Sequence, residues 1–306
     1  MNALTRIRRD VWQHGRRAER IAYFVGAVLF VSGLVHAIVL LATGGSWLGP
    51  LSMRKAVTFG LSFGLTLASV AWATSFLTVR PRWRSILLGA FSVASVVEVA
   101  LVSMQSWRGV PSHFDFETPF DNVVSMTLAA GGGVLILTVI GFTAAALVEP
   151  GPDAPSLRLA VRAGLLVLVV ALATGAVMIA RGVVEARGGD PQLAYTTAGS
   201  LKPLHAVAMH AILVLPGLAW LLTFTRWPEA HRLRVVKIAV AADAVLTAVI
   251  GVESFTGVSP FAAPLPVLAL SVLAAAALAG TGLYALSGVE PGIRFVRISD
   301  GKARGR

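Results

Sequence analysis

Three of the six histidines, His36, His205 and His210, fall in or at the edge of long apolar runs, together with the acids Glu98, Asp243 and Glu253. Ionisable groups in such surroundings are costly and mark candidate sites. The chain has no cysteine, so metal or haem ligation would fall to imidazole and carboxylate. His36 lies seven residues before Thr43, and His210 seven after Pro203. Both are then roughly 10 Å below one membrane surface, and Glu98, nine residues before Trp107, roughly 14 Å. Two imidazoles at one depth on different helices suit axial ligation of haem b for redox or haem-modifying chemistry, and His36 with His210 is the pair that fits. His205 is the alternative on the same helix. It points about 140° away from His210, so only one of the two can face a given cofactor. His36, His210 and Glu98 also form a set that would hold zinc with one position open. Glu98, His113 and Asp115 are then the acid–base candidates of a membrane hydrolase.

Above that slab runs the segment Trp107-Arg-Gly-Val-Pro-Ser-His-Phe-Asp-Phe-Glu-Thr-Pro-Phe-Asp121, with one His, one Arg and three acids. Its prolines and aromatics predict an ordered cap, and loops on a rigid scaffold carry function disproportionately. A second loop supplies Arg181, Glu185, Arg187, Asp190, Lys202 and His205. The site therefore opens toward the loop side, and a small-molecule ligand would enter from there. Two other readings are a small-solute or proton-coupled transporter working near Asp243 and Glu98, and a non-catalytic scaffold whose cap binds a partner. Structural roles compete with these: a helix-packing His36, and close helix contact at Gly131-Gly132-Gly133.

The elements that must position these residues follow from composition. Hydrophobic residues make up 56% and charged residues 13% of the chain, with mean hydropathy +0.77. Soluble domains carry roughly 25% charged residues. The apolar residues come in blocks of roughly 20, the length that spans a hydrocarbon core. Eight all-helical spans are expected, at 21–43, 55–79, 84–107, 121–147, 157–181, 203–225, 233–255 and 264–287. Of the 26 Lys and Arg, 20 fall on one side of this layout. That side is cytoplasmic and holds both termini, with a retained first helix rather than a cleaved signal. The net charge of +11 belongs to these span ends, so the expected partner is the lipid bilayer and not nucleic acid. The Ala- and Arg-rich composition goes with a bacterial plasma membrane.

The chain also repeats itself. Gly26 to His36 aligns with Gly175 to Glu185, at an offset of 149. Arg54 with Lys202, Ala71-Trp72 with Ala219-Trp220, and Gly109-Val110 with Gly257-Val258 all match at 148. Val148-Glu-Pro-Gly151 recurs at 289–292, an offset of 141, so the cap loop is seven residues longer than its counterpart. A fixed period signals duplication. The expected fold is all-α: two tandem, parallel four-helix bundles related by a pseudo-two-fold along the membrane normal. The repeats are 21–151, with cap loop 108–120, and 152–292. A basic segment 1–20 and a basic tail 293–306 flank them.

This layout resembles that of haem A synthase, which also carries eight helices in two tandem bundles with an outward-facing site. That family has a histidine pair in each bundle; here His36 matches Glu185, His205 matches Val57 and His210 matches Ser62, so the second pair is missing. No catalytic role carries over. The segment Arg108-Gly-Val-Pro-Ser-His-Phe114 is similar to the Arg-Gly-x-x-Ser-His-Phe outer loop of a set of uncharacterised bacterial polytopic membrane proteins, and implies no activity.

Overall fold

The computed structural model describes residues 16–49, 51–190, 194 and 198–289. The basic stretch before residue 16, the tail 293–306 and the Glu-Pro-Gly of the second Val-Glu-Pro-Gly segment lie outside the described residues.

Eight helices among the described residues are long and apolar enough to cross a bilayer, which makes this a multi-pass membrane protein. They are α1 (Arg17–Ala42), α2 (Arg54–Ser75), α3 (Pro81–Arg108) and α4 (Pro119–Val148). After a short connection come α5 (Pro155–Arg187), α6 (Lys202–Leu222), α7 (Glu229–Thr256) and α8 (Leu265–Ser287). Each matches an expected span. The largest difference is α5, which runs on to Arg187 because Arg181-Gly-Val-Val-Glu-Ala-Arg187 continues the helical bonding past the apolar run, and stops only at Gly188. Proline opens α3, α4 and α5 at the first helical position, where its missing N–H costs nothing.

Within 17–148 the first helix packs on the second, the second on the third and the third on the fourth. Within 155–287 the same order recurs. The two sets meet where α2 packs on α6 and α4 on α5, and one apolar core passes through both. The α1–α2 crossing is the closest. A Cβ on Gly60 would lie 2.6 Å from the Gly33 Cα, and one on Gly64 would lie 2.6 Å from the Gly26 carbonyl oxygen. With no water to drive apolar faces together, such small-residue contacts hold membrane helices.

At the end of the bundle opposite residues 109–118, the basic end, arginines finish the helices. The last carbonyls of a helix have no partner within it. Arg84, 1% exposed, donates from Nη1 to the Thr74 carbonyl (2.7 Å) and from Nη2 to the Leu77 carbonyl (2.7 Å) just beyond α2. Its Nη1 also pairs with the buried carboxylate of Glu19 on α1 at 3.1 Å. Arg162 serves α4, donating from Nε to the Ala146 carbonyl (2.7 Å) and from Nη2 to that of Glu149 (3.2 Å). Arg232 donates from Nη2 to the Thr225 carbonyl beyond α6 (2.8 Å). Arg84→Met strands one buried carboxylate and two carbonyls, and is expected to lower stability by about 3–5 kcal/mol. Arg162→Met, at a half-buried site, should lose about 1 kcal/mol. Unfolding of the two variants in mild detergent measures the contrast; equal losses would show that burial of Arg84 is immaterial.

Candidate functional site

The opposite, cap end is built on a rooted loop. The N-cap of α4 is Thr118, whose Oγ1 accepts from the Asp121 N–H (3.1 Å) and donates to Asp121 Oδ2 (2.5 Å). Asp121 Oδ1 accepts from Gln105 Nε2 at 2.8 Å and pairs with Arg108 at 2.5 Å, and Arg108 also donates to Gln105 Oε1. The end of α3 and the start of α4 are thereby tied by four side chains, with the Arg108 guanidinium 4.7 Å above the Phe120 ring.

The expected cap is ordered, for a reason the sequence does not display. Phe114 takes a left-handed backbone conformation, φ 64°, that is unfavourable for a side chain of its size. Its ring fills the place where Gly182 of α5 lacks a side chain, so the loop of the first four helices is pinned on the fifth. Asp115, named above as an acid–base candidate, is buried and shapes the loop. Its Oδ1 accepts from the Glu117 N–H (3.2 Å), and its carbonyl accepts from Ser125 Oγ (3.1 Å). His113 lies between Phe59 and Phe114, with ring centroids at 5.6 and 5.9 Å, and its Nδ1 is 2.8 Å from Ser112 Oγ. Burial first, and the neighbouring Lys55 ammonium second, push its pKa down to about 3.

The other expected ligands are dispersed. His36 Nδ1 donates to its own helix at Ser32 O (2.8 Å), and its Nε2 accepts the Trp107 indole N–H (3.1 Å). Both ring nitrogens are thus engaged, and no lone pair remains for iron or zinc. Glu98 is buried with Oε1 over Gly131, where an added Cβ would lie 2.5 Å away, and the Gly132 backbone reaches its carboxyl. Gly131 therefore houses an acid rather than a helix backbone, while Gly132 and Gly133 face open space. His205 Nδ1 donates across to the Ala171 carbonyl of α5 (2.7 Å), as a packing histidine does. His210 Nδ1 donates to Ala206 O (2.6 Å), and its Nε2 has no hydrogen-bond partner among the described residues. Among the described residues no three His, Asp or Glu side chains converge as a metal site, so His36, His210 and Glu98 are not brought together.

The polar gathering that the sequence did not single out lies in the seam between α2 and α6. A groove of about 180 Å³ there is lined by Ser62, Thr66 and Ser69 from one side, His210 and Met209 from the other, and Phe30 of α1. At the cap end of the same two helices, Arg54 and Lys55 open α2 and Lys202 opens α6. The three cations are close enough to repel one another, and each helix start adds its own positive partial charge. At the other end the seam is shut by Trp72 and Trp220, edge to face at 6.1 Å. Ser62 and the residue 148 positions on, His210, line the same groove, and that spacing is the signal that leads to it from sequence.

Compared with models of protein families, with curated proteins and with solved structures, the chain matches none.

The cap generates a prediction about acid. His113 is held neutral in the folded loop, so the folded state binds fewer protons than the unfolded one. Its contribution is intact above the ordinary value of 6.5 and drains away as pH falls toward about 3. Hydrogen exchange of amides 110–117, corrected for intrinsic rates, is expected to rise through that window. In His113→Gln the rise should flatten; an unchanged pH profile would place the acid sensitivity elsewhere.

Proposed function

We propose that the chain is a carrier of two like-oriented four-helix repeats, and that it takes a small anionic solute from the outer side into the seam between α2 and α6. The groove around Ser62, Thr66 and His210 carries the reading, because repeat-built transporters bind substrate near the midplane where the repeats meet.

Several observations support the repeat. A two-fold along the membrane normal lets equivalent residues touch only beside the axis. Trp72 and Trp220, 148 apart, touch. Ser62 and His210, at the same offset, share one groove, and Arg54 and Lys202, again at 148, share one cation cluster. Away from the axis the same offset relates Arg84→Leu77 O to Arg232→Thr225 O. It also relates the left-handed caps Gly109 (φ 68°) and Gly257 (φ 75°). The excess of arginine at the basic end supports a cytoplasmic assignment for that end, which makes the cap end the outer one.

The solute class follows from charge and size. Arg54 lies eight residues, roughly 12 Å, above Ser62, so the cations form a positive funnel over the groove and raise the local concentration of anions. The groove holds about six waters at roughly 30 Å³ each, room for a short carboxylate or a phosphate. His210 presents Nε2. It accepts the O–H of a protonated acid or, once it has taken that proton, donates to the carboxylate, while the hydroxyls of Ser62 and Thr66 supply neutral donors. The Trp72–Trp220 contact closes the path toward the basic end.

Haem b and zinc are not carried forward as the reading. His36 has both ring nitrogens engaged, and His210 lies in the seam rather than against Trp107. In proteoliposomes, uptake of a panel of short mono- and dicarboxylates and inorganic phosphate tests the proposal. One of them should bind, and His210→Ala should weaken it about tenfold, the worth of one charge-assisted hydrogen bond. Binding indifferent to both His210→Ala and Ser62→Ala, or no uptake of any of these anions, would sink it.

A further inference from the structure

Hydroxyls on α2 otherwise bond their own helix. Thr58, Ser69 and Thr74 each donate to the carbonyl four residues back, at 2.9, 2.8 and 2.6 Å. Ser62 and Thr66 make no hydrogen bond among the described residues, and both line the seam groove. His210 brings Nε2 to the same place. Three polar groups therefore wait for a partner at a depth where the bilayer offers none.

The groove is open sideways. Its lining comes from α1, α2 and α6 alone. His210 is exposed, and so are Leu65 (40%) and Phe30 (37%). Leu65 stands eleven residues after Arg54 and His210 eight after Lys202, roughly 17 and 12 Å below the cap-end cations. At that depth the bundle is surrounded by hydrocarbon, roughly 30 Å thick in all. No helix is drawn across this flank. α4 packs on α5, whereas α8 packs on α6 and α7 and has no comparable packing on α1. On the duplication reading these two pairs are counterparts, so one flank of the seam is closed and the other is left to lipid.

From this we propose that the seam site takes a long-chain carboxylate from the leaflet at the cap end. Its acid group sits on Ser62, Thr66 and His210, and its chain trails between α1 and α8 into the bilayer. The inference rests on the seam reading, because the acid group occupies the same groove. About 180 Å³ holds that group and the first carbons. The rest of the chain needs no pocket, since hydrocarbon meets it at the opening. The rim it would cross is apolar, made by Phe30, Leu61, Leu65, Met209 and Leu213. A carboxyl suits this depth because it can enter neutral, with its O–H on His210. A phosphodiester keeps its charge and would be buried with no cation beside it. Arg54 and Lys202 stand at the surface above, where an ionised head group is first collected.

The test is photolabelling of the full chain in phosphatidylcholine nanodiscs, with palmitate that carries a diazirine near its carboxyl group. Label is expected on Phe30, Leu65 and Leu213, about tenfold above Leu137, a more exposed residue of α4. Excess plain palmitate should remove it. His210→Ala and Ser62→Ala should each cut it about tenfold, so the result stands where one of them folds poorly. Even label around the bundle would overturn the proposal, with palmitate present as bulk lipid only. So would label insensitive to both substitutions. Label lost in Arg54→Gln but kept in His210→Ala would place the head group at the surface and overturn it too. Butyrate bound through His210 without any palmitate label faults this inference alone. No dependence on His210 for either acid faults the seam reading itself.

Discussion

A bilayer supplies no hydrogen-bond partners, and that absence governs the structure. Helices meet the demand internally, but each leaves carbonyls open at one end and N–H groups at the other. At the basic end three arginines close the account for α2, α4 and α6. The residues that make this end of the bundle basic are therefore also the ones that finish its helices. A lysine would supply the charge but not finish the helices as well, because one guanidinium reaches several acceptors at once, as Arg84 does with Thr74, Leu77 and Glu19.

At the cap end the same demand is met differently in the two sets of helices. Gln105, Arg108, Thr118 and Asp121 saturate one another, and Phe114 is held in a strained conformation because its ring fills the hollow at Gly182. That contact clips the first four helices to the fifth above the seam. The seam itself relies on α2 against α6, with tryptophans at one end and cations at the other. Tryptophans that touch edge to face hold an apolar seal, whereas like charges at the mouth favour an opening there or an anion between them. The seam therefore has like charges at its cap end and an aromatic contact at its basic end.

Much of this was legible in the sequence. The eight spans followed from block length, and seven of them end within about four residues of the observed helices. The exception, α5, extends through Arg181 and Arg187 because hydropathy marks where lipid ends and not where helical bonding ends. Site residues were less legible, for a physical reason. Depth along a helix can be counted, but direction around it depends on packing. His36 and His210 do have similar counted depths, yet His36 turns to the Trp107 indole while His210 lines the groove between α2 and α6. Apart from Ser62, which stands 148 residues before His210, the serines and threonines of the groove and of α7 carried no signal, since a hydroxyl that bonds its own helix and one that does not are the same letter.

The two halves can be compared position by position on the duplication reading. Ser95, bonded to the Phe91 carbonyl, stands 148 residues before Asp243, whose Oδ2 has no hydrogen-bond partner among the described residues. Val99 stands before Thr247, and Gln105, saturated in the cap root, before Glu253, whose carboxyl oxygens have no partner among the described residues. At each of these positions the first half has an apolar or satisfied side chain and the second has an unsatisfied one. Loss of the cap explains only the last: without Arg108 and Asp121 nothing is left to saturate Glu253. It does not explain Asp243 and Thr247, which lie far below any loop. The fold tolerates apolar or self-bonded side chains at those depths, as Ser95 and Val99 of α3 demonstrate, so the polar side chains along α7 are not required by packing.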